Sequence, residues 1–183
     1  MRCFLAYDIP AEVRDEIVEL QKKIRFVKGK FVEKENLHIT YAFLTKNKIP
    51  NIPDSDLEKI INVLGDINPK SFEMELKGIE LIPNENFIRV IAIGTGAGEE
   101  NFISIQRELD SKLRKVGIEA NWHPPHLTLM RVKQVFDRKE LLKLIKRIEY
   151  RRVVLVDHIK LKKSILRPEG PIYEDIYIKK FRK

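Results

Sequence analysis

The chain has 183 residues, with 35 Lys and Arg against 27 Asp and Glu, a formal net charge of +8. That length suits one domain or two tightly joined lobes, and 43% hydrophobic residues interspersed among 34% charged ones exclude a disordered chain. One cysteine, Cys3, excludes an internal disulfide and a thiolate metal cluster, while the basic balance favours an anionic partner without identifying it.

In chain order, residues 2–7 read as a strand with Cys3 as a small core residue, broken at Asp8-Ile9-Pro10. Val13, Ile17, Leu20 and Ile24 recur at helical spacing, Pro10 suits the first turn, and the helix should end before Gly29. Phe31-Val32 predicts a short strand. Residues 36–44 predict a longer one, with Leu37, Ile39 and Tyr41 facing opposite to His38, Thr40 and Ala42. Ser55 and Glu58 have capping-box spacing at the head of a helix bearing Leu57, Ile60, Ile61 and Leu64. Strands around 71–81 and 86–93 follow, then a glycine-rich break, Gly94-Thr95-Gly96-Ala97-Gly98. The next helix covers roughly 100–116, with Phe102, Ile105, Leu109, Leu113 and Val116 as its buried stripe and Gly117 as its C-terminal cap. Residues 126–132 predict a strand. Asp137 and Glu140 again have capping-box spacing, ahead of a short amphipathic helix, and strands near 151–163 and 172–179 finish the chain. Adjacent strands mixed with separate helices suit α+β better than a regular βαβ alternation.

The N-terminus lacks the apolar stretch of a secretory signal, and no apolar run approaches the roughly 20 residues that cross a bilayer. The expectation is therefore a cytoplasmic protein with no membrane association. The glycine-rich break does not make a dinucleotide loop, because the fingerprint requires a further glycine where Glu99 stands.

The chemistry lies in a repeated tripeptide. His38-Ile39-Thr40 and His126-Leu127-Thr128 both sit in apolar strand-like sequence, so each half of the chain supplies one. Strand periodicity puts His and Thr of each copy on one face. A single His-x-Thr would be uninformative, since a lone His on a strand is usually structural and Thr is an ordinary strand former. Two copies in matching contexts, using two of only four histidines, point to a shared site. A pair of imidazoles with ordinary pKa near 6.5 supplies a base and an acid near neutrality, as cleavage of a phosphodiester demands. Two hydroxyls beside them would hold the nonbridging phosphate oxygens. The chemical rival is a metal site, but neither copy has an adjacent carboxylate–histidine cluster, and no metal is expected.

Other residues are assigned by the same alternation. Tyr41 and Phe43 turn away from His38 and read as core. Arg131 lies opposite His126 and Thr128 unless a bulge intervenes, and is a candidate substrate contact from the rim. His123, behind Pro124-Pro125, is a second candidate contact with a rim or packing role as the alternative. His158 beside Asp157 reads as structural. Lys160, Lys162 and Lys163, with Arg131, are candidate walls of an anionic cleft.

These motifs resemble the two-histidine phosphoesterase superfamily, and more narrowly the RNA 2′,3′-cyclic phosphodiesterases historically called 2′-5′ RNA ligases. The resemblance spans nearly the whole chain, through RCFLAYDIP, ENLHITYAFL, HPPHLTLMRV and GPIYEDIYIKKF. Tyr41 departs from it, standing where a small aliphatic residue, usually Leu, is familiar. The resemblance implies an α+β, bilobal duplicated fold, with two antiparallel sheets facing a central cleft and helices on the outer faces. Residues 1–183 would form a single compact domain of two interleaved pseudo-symmetric lobes, each giving one His-x-Thr motif. The implied reaction is metal-independent opening of a terminal 2′,3′-cyclic phosphate to a 2′-phosphomonoester, with no cofactor. His38 would be the acid toward the leaving 3′-oxygen, His126 would activate water, and Thr40 and Thr128 would bind phosphate. The implied partner is an RNA terminus or a small cyclic nucleotide, with no obligatory protein partner. The alternatives are 2′-5′ RNA ligation as the main activity and a non-catalytic RNA- or nucleotide-binding module.

Overall fold

The computed structural model of the protein describes all 183 residues. The elements run β1 (Arg2–Asp8), α1 (Ala11–Gln21), β2 (Val27–Phe31), a 3-10 turn (Lys34–Asn36), β3 (His38–Thr45), α2 (Asp54–Asp66), β4 (Phe72–Asn84) and β5 (Phe87–Thr95). They continue as α3 (Glu99–Lys115), β6 (Glu119–Asn121), β7 (Leu127–Val135), α4 (Arg138–Arg147), β8 (Arg151–Val156), β9 (His158–Ile165) and β10 (Ile172–Lys180). The fold is α+β, as expected.

The strands pair antiparallel in the order β10-β9-β1-β3-β7-β5-β4-β8, with β2 added to β7 and β6 added to β3. The two expected sheets are two halves of one sheet, pinched where β3 meets β7 through a single register pair, Ile39 with Leu127. Each half mixes early and late sequence. β9 and β10 complete the half built on β1 and β3, while β4 completes the half built on β5 and β7. β2 and β6 cross over in the same way. The apolar faces of the helices cover this sheet. Val13, Ile17 and Leu20 of α1, and Phe102, Leu109 and Leu113 of α3, are all buried in the common core. Tyr41 stacks on Phe102 with ring centroids 3.9 Å apart and planes within 1°.

Local chemistry sets the helix ends. Asp137 caps α4, its Oδ1 accepting from the Glu140 N–H at 3.0 Å. Gly117 (φ +79°) ends α3 in the left-handed region. The expected box of Ser55 and Glu58 does not form: α2 begins at Asp54, directly after Pro53 and two residues ahead of the start a Ser55 cap would set, and no side chain caps it. α1 also stops earlier than its apolar spacing predicts, at Gln21. Ile24 is nevertheless buried, carried by a tight turn in which its N–H reaches the Gln21 carbonyl. The glycine-rich break is a packed turn. A Cβ on Gly98 (φ +89°) would lie 2.1 Å from the Glu73 carbonyl oxygen, and one on Gly96 would strike the Glu75 carboxylate. Carboxylates at that turn suit no pyrophosphate.

Candidate active site

The seam between β3 and β7 opens into a cleft of about 600 Å³. His38 stands at the start of β3 and Thr40 two residues on. His126 directly precedes β7 and Thr128 lies two residues beyond it. All four line the cleft, together with His123 and Arg131. The six residues singled out from sequence are therefore brought together.

Each imidazole is held in the same way. His38 Nδ1 lies 2.6 Å from the Asn36 carbonyl oxygen, and His126 Nδ1 lies 2.9 Å from that of Pro124. A carbonyl oxygen can only accept, so Nδ1 carries the proton in both rings. Nε2 is then left as the nitrogen that takes up or delivers a proton. The rings differ in surroundings. His38 packs against Phe4 (5.1 Å between centroids) and meets Tyr173 edge-on (5.4 Å). Burial pulls its pKa down to about 4; the Asn36 carbonyl and Asp8 oppose the shift, while Lys162 and Arg131 add to it.

Two β-bulges decide which other side chains reach the cleft. On β3, Ala42 pairs with Leu5 and Thr40 with Ala6, so Tyr41 is an extra residue. On β7, Met130 pairs with Ile91 and Thr128 with Ala92, so Leu129 is the extra residue. A bulge reverses the alternation beyond it. Tyr41 and Ala42 are consequently both buried, as are Leu129 and Met130. Phe43 and Arg131, each five residues after its histidine, return to the histidine face and line the cleft. Phe43 is thus no core residue, contrary to the alternation; it is 46% exposed. For Arg131 the bulge supplies the exception that simple periodicity left open. Tyr41 is in the core as expected, although its hydroxyl is buried without a hydrogen-bond partner.

A bulge displaces a carbonyl from the regular ladder, and a buried glutamine meets each one. Gln106 of α3 donates from Nε2 to the Tyr41 carbonyl (3.0 Å) and to that of His123 (2.9 Å). Gln21 of α1 donates from Nε2 to the Leu129 carbonyl (3.0 Å) and to that of Val32 (2.9 Å). Each glutamine therefore ties a bulge to the segment that leads into the other histidine. Sequence reasoning missed both; a polar residue at a buried helical position was the available signal.

The cleft has further walls that the sequence reading did not select. Tyr173 closes over the His38 ring. Asn36, whose carbonyl holds His38, donates from Nδ2 to the Pro171 carbonyl at 2.9 Å and so anchors the segment entering β10. Lys30, Phe31 and Trp122 also line the cavity. Lys160 and Lys162, in contrast, are not cleft walls. Both amines sit between Asp8 and Asp175 at 2.6–3.0 Å, and Lys162 is buried. Lys163 faces Glu174. The paired carboxylates draw this basic run behind the site, where its charge is already matched. His158 is structural: Nδ1 contacts Asp157 at 2.6 Å and Nε2 accepts from the Asp8 N–H at 3.2 Å. No three His, Cys, Asp or Glu side chains gather as a metal site, and no helix is long and apolar enough to cross a membrane.

The sequence model of the LigT-like phosphoesterase family matches this chain twice, over residues 8–92 and 93–173. A Methanocaldococcus jannaschii protein named RNA 2′,3′-cyclic phosphodiesterase is 40% identical over 181 residues, covering 96% of this chain and 98% of its own. The crystal structure of a Thermus thermophilus protein superposes with a TM-score of 0.81 at 27% identity, over 100% of this chain and 98% of that one. The crystal structure of Escherichia coli LigT complexed with 3′-AMP has the same fold, with a TM-score of 0.80 at 21% identity, again over 100% and 98%.

Proposed function

The chain belongs to the LigT-like phosphoesterase family, and on that premise we propose that it hydrolyses RNA terminal 2′,3′-cyclic phosphates to 2′-phosphomonoesters without a metal. The observation that carries the reading is the matched clamp on the two imidazoles, which frees one Nε2 from each motif in a common cleft. In the reaction, water attacks phosphorus in line with the P–O3′ bond. His126 Nε2 takes the proton from the water as the new P–O bond forms. The P–O3′ bond breaks, and His38 Nε2–H protonates the departing 3′-oxygen. The product carries a 2′-phosphate and a free 3′-hydroxyl. Thr40 and Thr128 donate hydroxyl hydrogen bonds to the nonbridging oxygens, and Arg131 adds a positive charge beside them. His123 contacts the substrate from the rim. The two lobes act as one domain, since every half-site is built from both. The protein works in the cytoplasm on RNA ends or small cyclic nucleotides; its single cysteine is buried and fits that compartment.

The test is RNA ending in a 2′,3′-cyclic phosphate, given to the protein with excess chelator. A terminal 2′-phosphate is the expected product, and His38→Ala and His126→Ala should each nearly abolish it while the fold survives. A 3′-phosphate product, activity that chelator removes and metal restores, or full turnover by His38→Ala would each overturn the reading.

A further inference from the structure

The two arms of the cleft are related by the duplication, yet they carry different chemistry. Along β3 the face runs His38, Thr40, Phe43 and then Thr45, whose hydroxyl is occupied by Glu119 at 2.7 Å. Along β7 it runs His126, Thr128 and Arg131; a further register shift, with Val132 opposite Gly29 and Gln134 opposite Lys28, then makes Lys133 an extra residue that shares a face with Gln134. β2 lies alongside β7 and pairs Lys30 with Arg131 and Lys28 with Gln134. The β2–β7 ribbon therefore extends the cleft floor outward with Lys30, Arg131, Lys28 and Lys133. Lys30 is shared with Glu33 at 3.2 Å, whereas Arg131, Lys28 and Lys133 are exposed and have no carboxylate partner. The β4–β5 side presents Glu80 at the cleft and Glu85 in its hairpin, and its exposed cation, Arg89, lies over the Phe87 ring.

We infer that the β2–β7 ribbon is a track for the phosphates of the RNA strand that precede the cyclic terminus, with Lys28 and Lys133 each neutralising one of them. The inference rests on the cyclic phosphodiesterase reading and gives it a substrate class: a strand of several nucleotides, in preference to a mononucleotide. Lys28 and Lys133 lie outside the residues that line the cleft, so a mononucleotide would not reach them. A strand leaving past Arg131 passes between them, Lys28 on β2 to one side and Lys133 on β7 to the other.

The experiment compares adenosine 2′,3′-cyclic phosphate with a ten-nucleotide RNA ending in the same group. The proteins are the wild type, the double variant Lys28→Glu/Lys133→Glu and the neutral double variant Lys28→Gln/Lys133→Gln. Charge reversal should raise KM for the RNA about tenfold or more, with kinetics on the mononucleotide unchanged. In the neutral variant the slope of log(kcat/KM) for RNA against log salt should flatten by about 1.4, the counterion release of two single-strand phosphate contacts. Equal changes on both substrates, or no change on RNA, would overturn the track. If the wild type turns over neither substrate, the phosphodiesterase reading falls instead. Fluorescence anisotropy of a labelled RNA bearing a terminal 2′-phosphate then decides the track by itself: weaker binding in both variants supports it, and unchanged binding refutes it.

Discussion

His38 should pick up a proton when the substrate phosphate binds. In the free protein burial holds its pKa at about 4, so the ring is neutral at pH 6 to 7 and has nothing to donate to the leaving oxygen. A phosphodiester brings one negative charge. At about 4 Å from the ring, with an effective dielectric constant near 20, that charge favours the imidazolium by about 4 kcal/mol, a factor of roughly 10³ in its protonation. The gain is large enough to bring the ring back to substantial protonation near neutrality, so that the acid is created by the substrate it serves. The assay uses His126→Ala, which should bind a nucleoside 2′,3′-cyclic phosphate without cleaving it. A cyclic diester does not titrate near neutrality, so any proton taken up belongs to the protein. Calorimetry at pH 6 in buffers of different ionisation enthalpy should show uptake approaching one proton. The His38 ring resonances should move from their neutral to their charged positions. No uptake, with a His38 ring that stays neutral in the complex, would refute the reasoning and leave His38 as the base. The free protein carries the complementary signature. Unfolding restores the ordinary ring pKa of 6.5, so the unfolded chain binds a proton that the native one excludes between pH 6.5 and 4. Stability should therefore fall through that window by up to about 3 kcal/mol, and His38→Gln should remove this part of the fall.

Three further outcomes follow from individual contacts. Tyr41→Phe keeps the stack on Phe102 and removes a buried hydroxyl that has no partner, so it should stabilise the protein by about 1 kcal/mol, read as a higher Tm. Gln106→Leu leaves the Tyr41 and His123 carbonyls unpaired and should cost about 2–4 kcal/mol in chemical denaturation, with kcat reduced because both motifs lose a support. Arg131→Ala should lower kcat/KM for the cyclic phosphate by roughly 10- to 100-fold, the loss of about 1.5–3 kcal/mol of charged hydrogen bonding, with Tm almost unchanged because the side chain is exposed.

Much of the site was legible because its signal is local and repeated. His-x-Thr needs only strand alternation over three residues, and both copies hold. Phe43 and Arg131 required alternation to be carried five residues past the histidine, across a bulge. Nothing in YAF or LMR marks an extra residue, since the apolar run reads equally well as a regular strand; the bulge is visible only in the partner register of Leu5 with Ala42 and of Ile91 with Met130. The lysines of β9 failed for a different reason. Their neutralising carboxylates, Asp8 and Asp175, are remote in sequence, so an internal charge network reads as an open basic surface. The order of strands and helices was readable from periodicity, but β6 was not. It is three residues long and exists because β3 offers it an edge.

The exchanged glutamines have a consequence for how this protein can be divided. α1 fastens the bulge of β7, and α3 fastens that of β3; β2 and β6 pair across in the same sense. A chain cut in the hairpin between β4 and β5 would yield one fragment for each His-x-Thr motif, but neither would contain a finished half-site. Each fragment holds a histidine with its own carbonyl clamp, but the bulge beside that histidine is fastened from the other fragment. Activity would depend on their encounter, rising with the square of concentration when both are dilute and vanishing for either alone. The duplicated sequence thus describes two copies of a motif but a single indivisible instrument.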